Sequence, residues 1–556
     1  MLPWFGRKDC AASVLTMKRR LLLLAASMAA LLTPLACEAT LAPSASASAG
    51  AGDAVKPTCS AVPVSAPAGA RVVSVDVTHH DGGTVTVPAQ LPLNPETTIT
   101  DVPAWCDVVV TLTHRGADDH VTVKVSLPED PKKWSGRLQA TGGSAYLAGN
   151  LNGPELVNAV KEGYVATTTD AGVGQNALDA SWGLKADGTT DVPLLTNFAS
   201  RSTHEMTLVA KDIAARFYGR PVTYAYWNGC STGGRQGYSE AQNYPNDYDG
   251  VLAAAPAVNW DRFAVATLWP QVVFNEEHVA PTLCELDAFN AAAVKACDSL
   301  DGVKDGIIDN PQDCTWNPRK LVGTKVVCDG QTLTITAEVA DAVRKIWAGP
   351  VAPNGKKLWY GPNIGADFTY LADVNQPFFV ADSWAKYFVA KNPALDTKKL
   401  TYASFAQLFA ASQKQFNRVI GTDDPDLSGF RAAGGKLLSW QGQSDQLVPT
   451  QGTVDYRKRV ERTMGGGARV DDFYRLFLLP GVAHCQGGPG PQATDPLGAL
   501  VTWVEKGHAP ATLATAVLDA DGTVTATRNA CRYPQMARYT GHGDPAVAGS
   551  YRCSAA

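Results

Sequence analysis

Two short motifs, far apart in the chain, each set a cysteine beside a chemically useful residue. Gly229-Cys230-Ser231-Thr232-Gly233 follows an apolar, aromatic stretch over 222–227. His484-Cys485 follows the strand-like Tyr474-Arg475-Leu476-Phe477-Leu478-Leu479. If the two cysteines pair, a Cα separation of about 5.5 Å sets Ser231 and His484 side by side. A bond there would be part of how an active site is assembled.

The G-x-S-x-G run has its own backbone geometry. A strand that turns sharply into a helix leaves its turn residue strained, with Oγ exposed. The residues two before and two after must be small, or side chains would collide in the turn. Gly229 and Gly233 meet that demand, Gly234 extends it, and 235–241 reads as the helix. The plain alternative is a glycine-rich turn with a chance serine. The strand before it, the helix after it and the downstream His-Cys outweigh that reading.

Hydrolases of this kind order their triad Ser, then Asp or Glu, then His. Leu437-Leu438-Ser439-Trp440 is a short buried-strand candidate, and the loop it feeds contains Asp445. Open α/β sheets place functional groups at the carboxyl ends of their strands. Asp445 would hold the His484 tautomer and stabilise the imidazolium formed as Ser231 attacks. The oxyanion needs two backbone N–H donors. One is expected from Thr232, directly after the nucleophile. The other is expected from the loop after an early strand, where Gly142 or Gly143 of Leu138-Gln139-Ala140-Thr141-Gly142-Gly143-Ser144 would donate.

With these residues in hand, the chain resembles the tannase and feruloyl esterase family. The similarity covers the elbow through Arg235, Tyr244-Pro245, Asp249-Gly250, Asp426-Leu427 and Gly434-Gly435-Lys436. It continues through Asp445 and Gly481-Val482-Ala483-His484-Cys485. The resemblance implies an α/β fold, with an α/β-hydrolase core and a large inserted lid domain. It also implies the bond Cys230–Cys485, with Cys59–Cys106, Cys297–Cys314 and Cys531–Cys553. Of the ten cysteines left after Cys10 and Cys37, Cys284 and Cys328 then remain for each other by elimination. Relatives place a cysteine a few residues beyond the Cys328 position, where this chain has Thr332-Leu333-Thr334.

Between the nucleophile segment and Asp445 lie more than two hundred residues, far more than one crossover needs. The expected organisation is upstream residues plus signal peptide over 1–40, a flexible leader over 41–58, core over 59–255, lid over 256–425 and core again over 426–556. Inside the lid, Asp298, Asp301, Asp305 and Asp309 fall within twelve residues and would repel unless solvated or bound to a hard cation. The EF-hand order is absent. The family resemblance implies a structural calcium site, built from carboxylates of Asp298, Asp301 and Asp305 and carbonyls of Val303 and Ile307. An acidic surface loop is the alternative.

Composition bounds the rest. The chain has 556 residues, 45% of them hydrophobic, and a net charge of −5 without basic clusters, which argues against nucleic acid as partner. Met17-Lys18-Arg19-Arg20 before the apolar run 21–32 reads as a signal peptide, too short to span a membrane. Lipoprotein anchoring at Cys37 is the weaker alternative, because Pro34 fits that box poorly. The expectation is a secreted serine carboxylesterase acting on small esters of aromatic acids, with no organic cofactor and an open oligomeric state. A hydrolase of terephthalate monoesters, a secreted peptidase and a catalytically silent binding protein on the same scaffold are the rivals.

Overall fold

The computed structural model describes residues 59–60, 62–90 and 95–555. The signal peptide expected from Met17, the alternative anchor at Cys37 and the leader over 41–58 lie outside the described residues.

Nine strands make the central sheet. In chain order they are β1 (Ala70–His80), β2 (Trp105–His114), β3 (Val121–Pro128), β4 (Arg137–Thr141), β5 (Val165–Thr169), β6 (Tyr224–Cys230), β7 (Gly250–Ala254), β8 (Lys436–Gly442) and β9 (Tyr474–Leu479). Their spatial order is β1-β2-β3-β5-β4-β6-β7-β8-β9. The pairings β1–β2, β2–β3 and β3–β5 are antiparallel. All the others are parallel.

A parallel sheet buries both faces, so its strands read as near-continuous apolar runs. Leu437-Leu438-Ser439-Trp440 is such a run and lies inside β8, with every one of its residues buried. The principal helices, in chain order, are α1 (Pro154–Lys161), α2 (Ser202–Tyr218), α3 (Thr232–Asn243), α4 (Leu283–Cys297), α5 (Ala337–Ala348), α6 (Tyr402–Ile420), α7 (Thr450–Met464) and α8 (Pro496–Lys506). Val209 and Ile213 of α2, Tyr238 of α3 and Tyr456 of α7 pack in one core on the sheet. Val160 of α1 and Leu500 and Trp503 of α8 pack in a second core with Leu252, Leu438 and Phe477.

The segment between β7 and β8 contains α4, α5 and α6 and packs around aromatic side chains. Trp269, Phe289, Phe368, Trp384, Phe388, Phe405 and Phe409 are buried in one cluster, which also takes in Tyr146 and Phe198 from outside the insertion. Tyr370, by contrast, is exposed. Trp384 stacks on Phe388 at 4.5 Å, and Phe388 stacks on Tyr146 at 6.3 Å. The insertion and both halves of the core fall within one compact unit.

All five expected disulfides form: Cys59–Cys106, Cys230–Cys485, Cys284–Cys328, Cys297–Cys314 and Cys531–Cys553. Cys328 pairs with Gln331 across a two-stranded hairpin, and Thr332-Leu333-Thr334 belongs to its second strand. The hairpin thus sets Cys328 against Cys284 near the start of α4.

Candidate active site

Ser231 sits between β6 and α3 with φ 61° and ψ −120°, a left-handed conformation that a side chain adopts only under constraint. The constraint is close approach. A Cβ on Gly229 would lie 2.6 Å from the Gly233 backbone, so the strand and the helix can meet only across glycines. The serine is strained and partly exposed, as the elbow reading expects.

Asp445 lies in the loop after β8 and is 1% exposed. Its Oδ1 accepts from the N–H groups of Leu447 (2.9 Å) and Val448 (2.8 Å). Its Oδ2 accepts from Gln441 Nε2 (2.6 Å) and faces His484 Nδ1 at 2.8 Å. Four partners leave the carboxylate satisfied and fixed, and they set the Nδ1–H tautomer of His484. The His484 backbone is pinned as well, its N–H donating to Gln446 Oε1 at 3.0 Å.

The disulfide brings the two motifs together. Cys230 and Cys485 are 5.9 Å apart at Cα, and each is next in sequence to Ser231 or His484. Cys485 itself has φ 63°, so both ends of the bond adjoin or occupy tight turns. A hydroxyl at a strained elbow, an imidazole one disulfide away and a buried acid behind it can support nucleophilic attack with general-base assistance.

The glycines expected to donate to an oxyanion are engaged elsewhere. The Gly142 N–H donates to Asn228 O at 3.3 Å, and the Gly143 N–H donates to Gln236 Oε1 at 3.0 Å. This corrects the assignment of Gly142 and Gly143 to that role. Their glycine requirement is packing: a Cβ on Gly142 would meet the Gly233 Cα at 2.4 Å. Thr232, at the first position of α3, has no intrahelical partner for its N–H.

The acidic loop follows α4. Asp298 Oδ1 accepts from the N–H groups of Asp305 and Gly306, each at 3.0 Å, and Asp301 Oδ1 accepts from the Val303 N–H at 3.0 Å. Asp305 Oδ1 takes the Ile307 N–H at 3.2 Å. Arg528 reaches in from another part of the chain, donating to Asp305 Oδ2 at 2.7 Å and Asp309 Oδ1 at 3.0 Å. Asp301 Oδ2 and Asp309 Oδ2 remain buried without a partner. Burial pushes the Asp309 carboxyl upward, Arg528 opposes this, and the neighbouring Asp301 and Asp305 reinforce it. This donor set, rich in carboxylates and short of cations, fits a hard divalent ion. Among the described residues, the trio of ligating atoms lying within 4.8 Å of one another is Cys59, His79 and Glu129, and Cys59 is already spent in a disulfide.

Gln236, Gln441 and Gln446 support this site and carry no motif of their own. Their signal in the sequence is position: one a turn into the helix after the serine, two flanking the acid.

A mixed sheet covered on both faces, a nucleophile elbow after a parallel strand and an acid and histidine beyond later strands define an α/β-hydrolase. Residues 106–554 match the family model "Tannase and feruloyl esterase". The chain is 46% identical over 478 residues to a probable feruloyl esterase of Arthroderma benhamiae, covering 83% of this chain and 87% of that one. It is 31% identical over 446 residues to feruloyl esterase B of Aspergillus niger, covering 76% and 82%. Among solved structures, tannin acyl hydrolase from Aspergillus niger superposes with a TM-score of 0.77 at 26% identity, covering 88% of this chain and 92% of that one. Feruloyl esterase B from Aspergillus oryzae superposes with a TM-score of 0.76 at 27% identity, covering 88% and 97%. The chain belongs to the tannase and feruloyl esterase family, and is a feruloyl esterase-like carboxylic ester hydrolase. Among the described residues no helix is long and apolar enough to cross a membrane.

Proposed function

We propose that this protein is an exported serine esterase that hydrolyses esters of aromatic, phenolic acids through an acyl-enzyme. The observation that carries the reading is the Asp445–His484 pair at 2.8 Å, held one residue from the disulfide whose other end adjoins Ser231. Ser231 Oγ attacks the ester carbonyl while His484 takes its proton. The ester C–O bond then breaks, and the alcohol leaves with that proton. Water, deprotonated by His484, attacks the acyl-serine; the acyl–Oγ bond breaks, His484 returns the proton to Ser231 Oγ, and the free acid departs. Asp445 stabilises the imidazolium that forms twice per turnover.

The relatives, feruloyl esterases and a tannin acyl hydrolase, support a phenolic acyl group. No observation favours the terephthalate monoester or peptidase alternatives, and a silent scaffold has no need of a fully partnered acid behind a histidine. Methyl ferulate, methyl gallate, a terephthalate monoester and a chromogenic peptide should be compared side by side. Higher kcat/KM on either phenolic ester supports the reading, and peptide cleavage alone would refute it.

Calcium is assigned to the acidic loop, held by carboxylates of Asp298, Asp301 and Asp305 and carbonyls of Val303 and Ile307. The ion would neutralise repulsion there and stiffen the loop, and it takes no part in the ester steps. Elemental analysis of purified protein tests this, with about one calcium per chain expected. Ten cysteines in five bonds support an oxidising, extracellular compartment. Protein recovered from the culture medium with its N-terminus beyond the 21–32 run would agree, and protein retained in the cytosol would not.

A further inference from the structure

The insertion holds a cavity of about 370 Å³. That volume falls within the ~300–1,000 Å³ of small-molecule sites. Its walls are the segment after the Cys297–Cys314 bond, the end of α5 and residues 357–364, and Gln451 of α7 also lines it. Ser231, Asp445 and His484 are not among its lining residues. Asn363 in the wall donates to Gln443 O at 2.9 Å, so the cavity backs onto the loop that carries Asp445.

The lining combines flat rings with positive charge. Trp316 and Trp347 meet edge to face at 6.2 Å, and Trp347 also stacks on Phe368 at 6.0 Å, which fixes the indoles. Tyr360 is the third ring, with Lys357 Nζ 4.7 Å from its centroid. Lys357 makes no ion pair among the described residues. Arg344 reaches Asp341 only at 3.6 Å, and Arg319 already holds that carboxylate, donating from Nε at 2.9 Å. No Asp or Glu stands among the described lining residues. The amides are spent on their neighbours: Gln312 Nε2 donates to Asn363 Oδ1 at 3.2 Å, and Asn363 donates onward to Gln443. Sugar hydroxyls need acceptors as well as donors, and this cavity has no carboxylate to offer them. Aromatic faces take a planar ring by offset stacking, and guanidinium and ammonium groups take a carboxylate. The complement of three rings and two cations is a flat anion.

We infer that this cavity is a second ligand site, separate from the active site, that takes an aromatic carboxylate, with the ring against Trp316, Trp347 and Tyr360 and the carboxylate at Arg344 and Lys357. It rests on the esterase reading above in one respect: an acid of that class is what the proposed reaction releases. The Arg344 side chain is 54% exposed, and Lys357 is exposed as well. Exposed ion pairs contribute little singly, so the charge preference comes from the two cations together.

The test is calorimetry with sodium ferulate on the full chain after phenylmethylsulfonyl fluoride has blocked Ser231, so that the active site is covalently filled. About one ferulate per chain should still bind. Methyl ferulate keeps the ring and loses the charge, and should bind the same blocked protein about tenfold more weakly. Glucuronate keeps the charge and lacks the aromatic ring, and should bind at least as weakly as the methyl ester. The double variant Arg344→Gln, Lys357→Gln should lose about tenfold in ferulate affinity. No binding to the blocked chain, equal affinity for ferulate and its methyl ester, a preference for glucuronate, or undiminished affinity in a folded double variant would overturn the inference. The ligand series uses the parent sequence, so it decides the matter even if the double variant fails to fold. Should Ser231 not take the label, the esterase reading falls by itself, and the unlabelled parent and double variant, titrated with ferulate, still decide this site.

Discussion

Two buried aspartates within one compact unit live under opposite conditions. Asp445, 1% exposed at the end of β8, accepts from two amides and a carboxamide and pairs with His484. Asp261, 0% exposed at the start of the insertion, has one long contact from Asn417 Nδ2 at 3.4 Å, and its Oδ1 has no partner. Burial pushes its carboxyl up to about 6; Arg262 opposes the shift and Asp423 adds to it. Asp301 and Asp309 repeat the pattern, each with an orphaned buried oxygen. The loop after β8 supplies Asp445 with donors in advance. In the insertion, Asp261, Asp301 and Asp309 each keep one buried carboxylate oxygen with no described partner.

The sharpest way to break this contrast is at Ser231, the proposed nucleophile. Ser231→Ala should lower kcat on the order of 10⁶-fold with an almost unchanged melting temperature. A variant retaining a tenth of the activity would end the assignment. Asp445→Asn should cost about 10⁴-fold in kcat, because the amide would stabilise the wrong histidine tautomer. Circular dichroism should show the fold intact.

Replacing Cys230 and Cys485 by serine should lower kcat at least about tenfold, since small misplacements of reacting groups are costly. The bond closes a separation of 255 residues, and on the chain-entropy model its loss costs about 5 kcal/mol of stability. Retained far-UV ellipticity with a fall in kcat is the expected pair of results, and a folded variant with unaltered kcat would show that packing alone sets the register.

On the other side of the contrast, chelation should lower the melting temperature by several degrees, with activity lost only as the fold loosens. An unchanged melt in chelator would remove the calcium assignment. The smallest effect is at Asp261. Its folded-state pKa, about 6, lies above the ordinary 3.8, so the native state holds the proton more tightly. Stability should therefore fall as pH rises from about 4 through 6. Asp261→Asn removes that dependence and should gain up to about 3 kcal/mol over the parent at pH 8, with little gain at pH 4. Urea melts at the two values check the sign, and equal differences at both would contradict it.

The sequence carried the contrast unevenly. The elbow was legible because its glycines answer a local steric demand, and β8 because an apolar run bounded by loop residues reads as a buried strand. The Cys284–Cys328 pairing followed by elimination only once the family resemblance had implied the other four pairs. The state of the glycine amides was not legible: Gly142 and Gly143 look available until the Gln236 carboxamide and Asn228 carbonyl occupy them, and those contacts join residues up to 93 positions apart. The same holds for Arg528, which reaches the acidic loop across more than two hundred residues. Local backbone geometry is written in short motifs, whereas hydrogen-bond occupancy is a property of the assembled fold.

In the proposed reaction Ser231 becomes acylated. Rapid-quench mass spectrometry with a phenolic ester on Asp445→Asn, in which turnover is slowed, tests it most directly. An added acyl mass should map to the peptide containing Ser231 and vanish in the Ser231→Ala, Asp445→Asn double variant. An acyl mass on any other residue, or steady ester hydrolysis by the double variant, would contradict it.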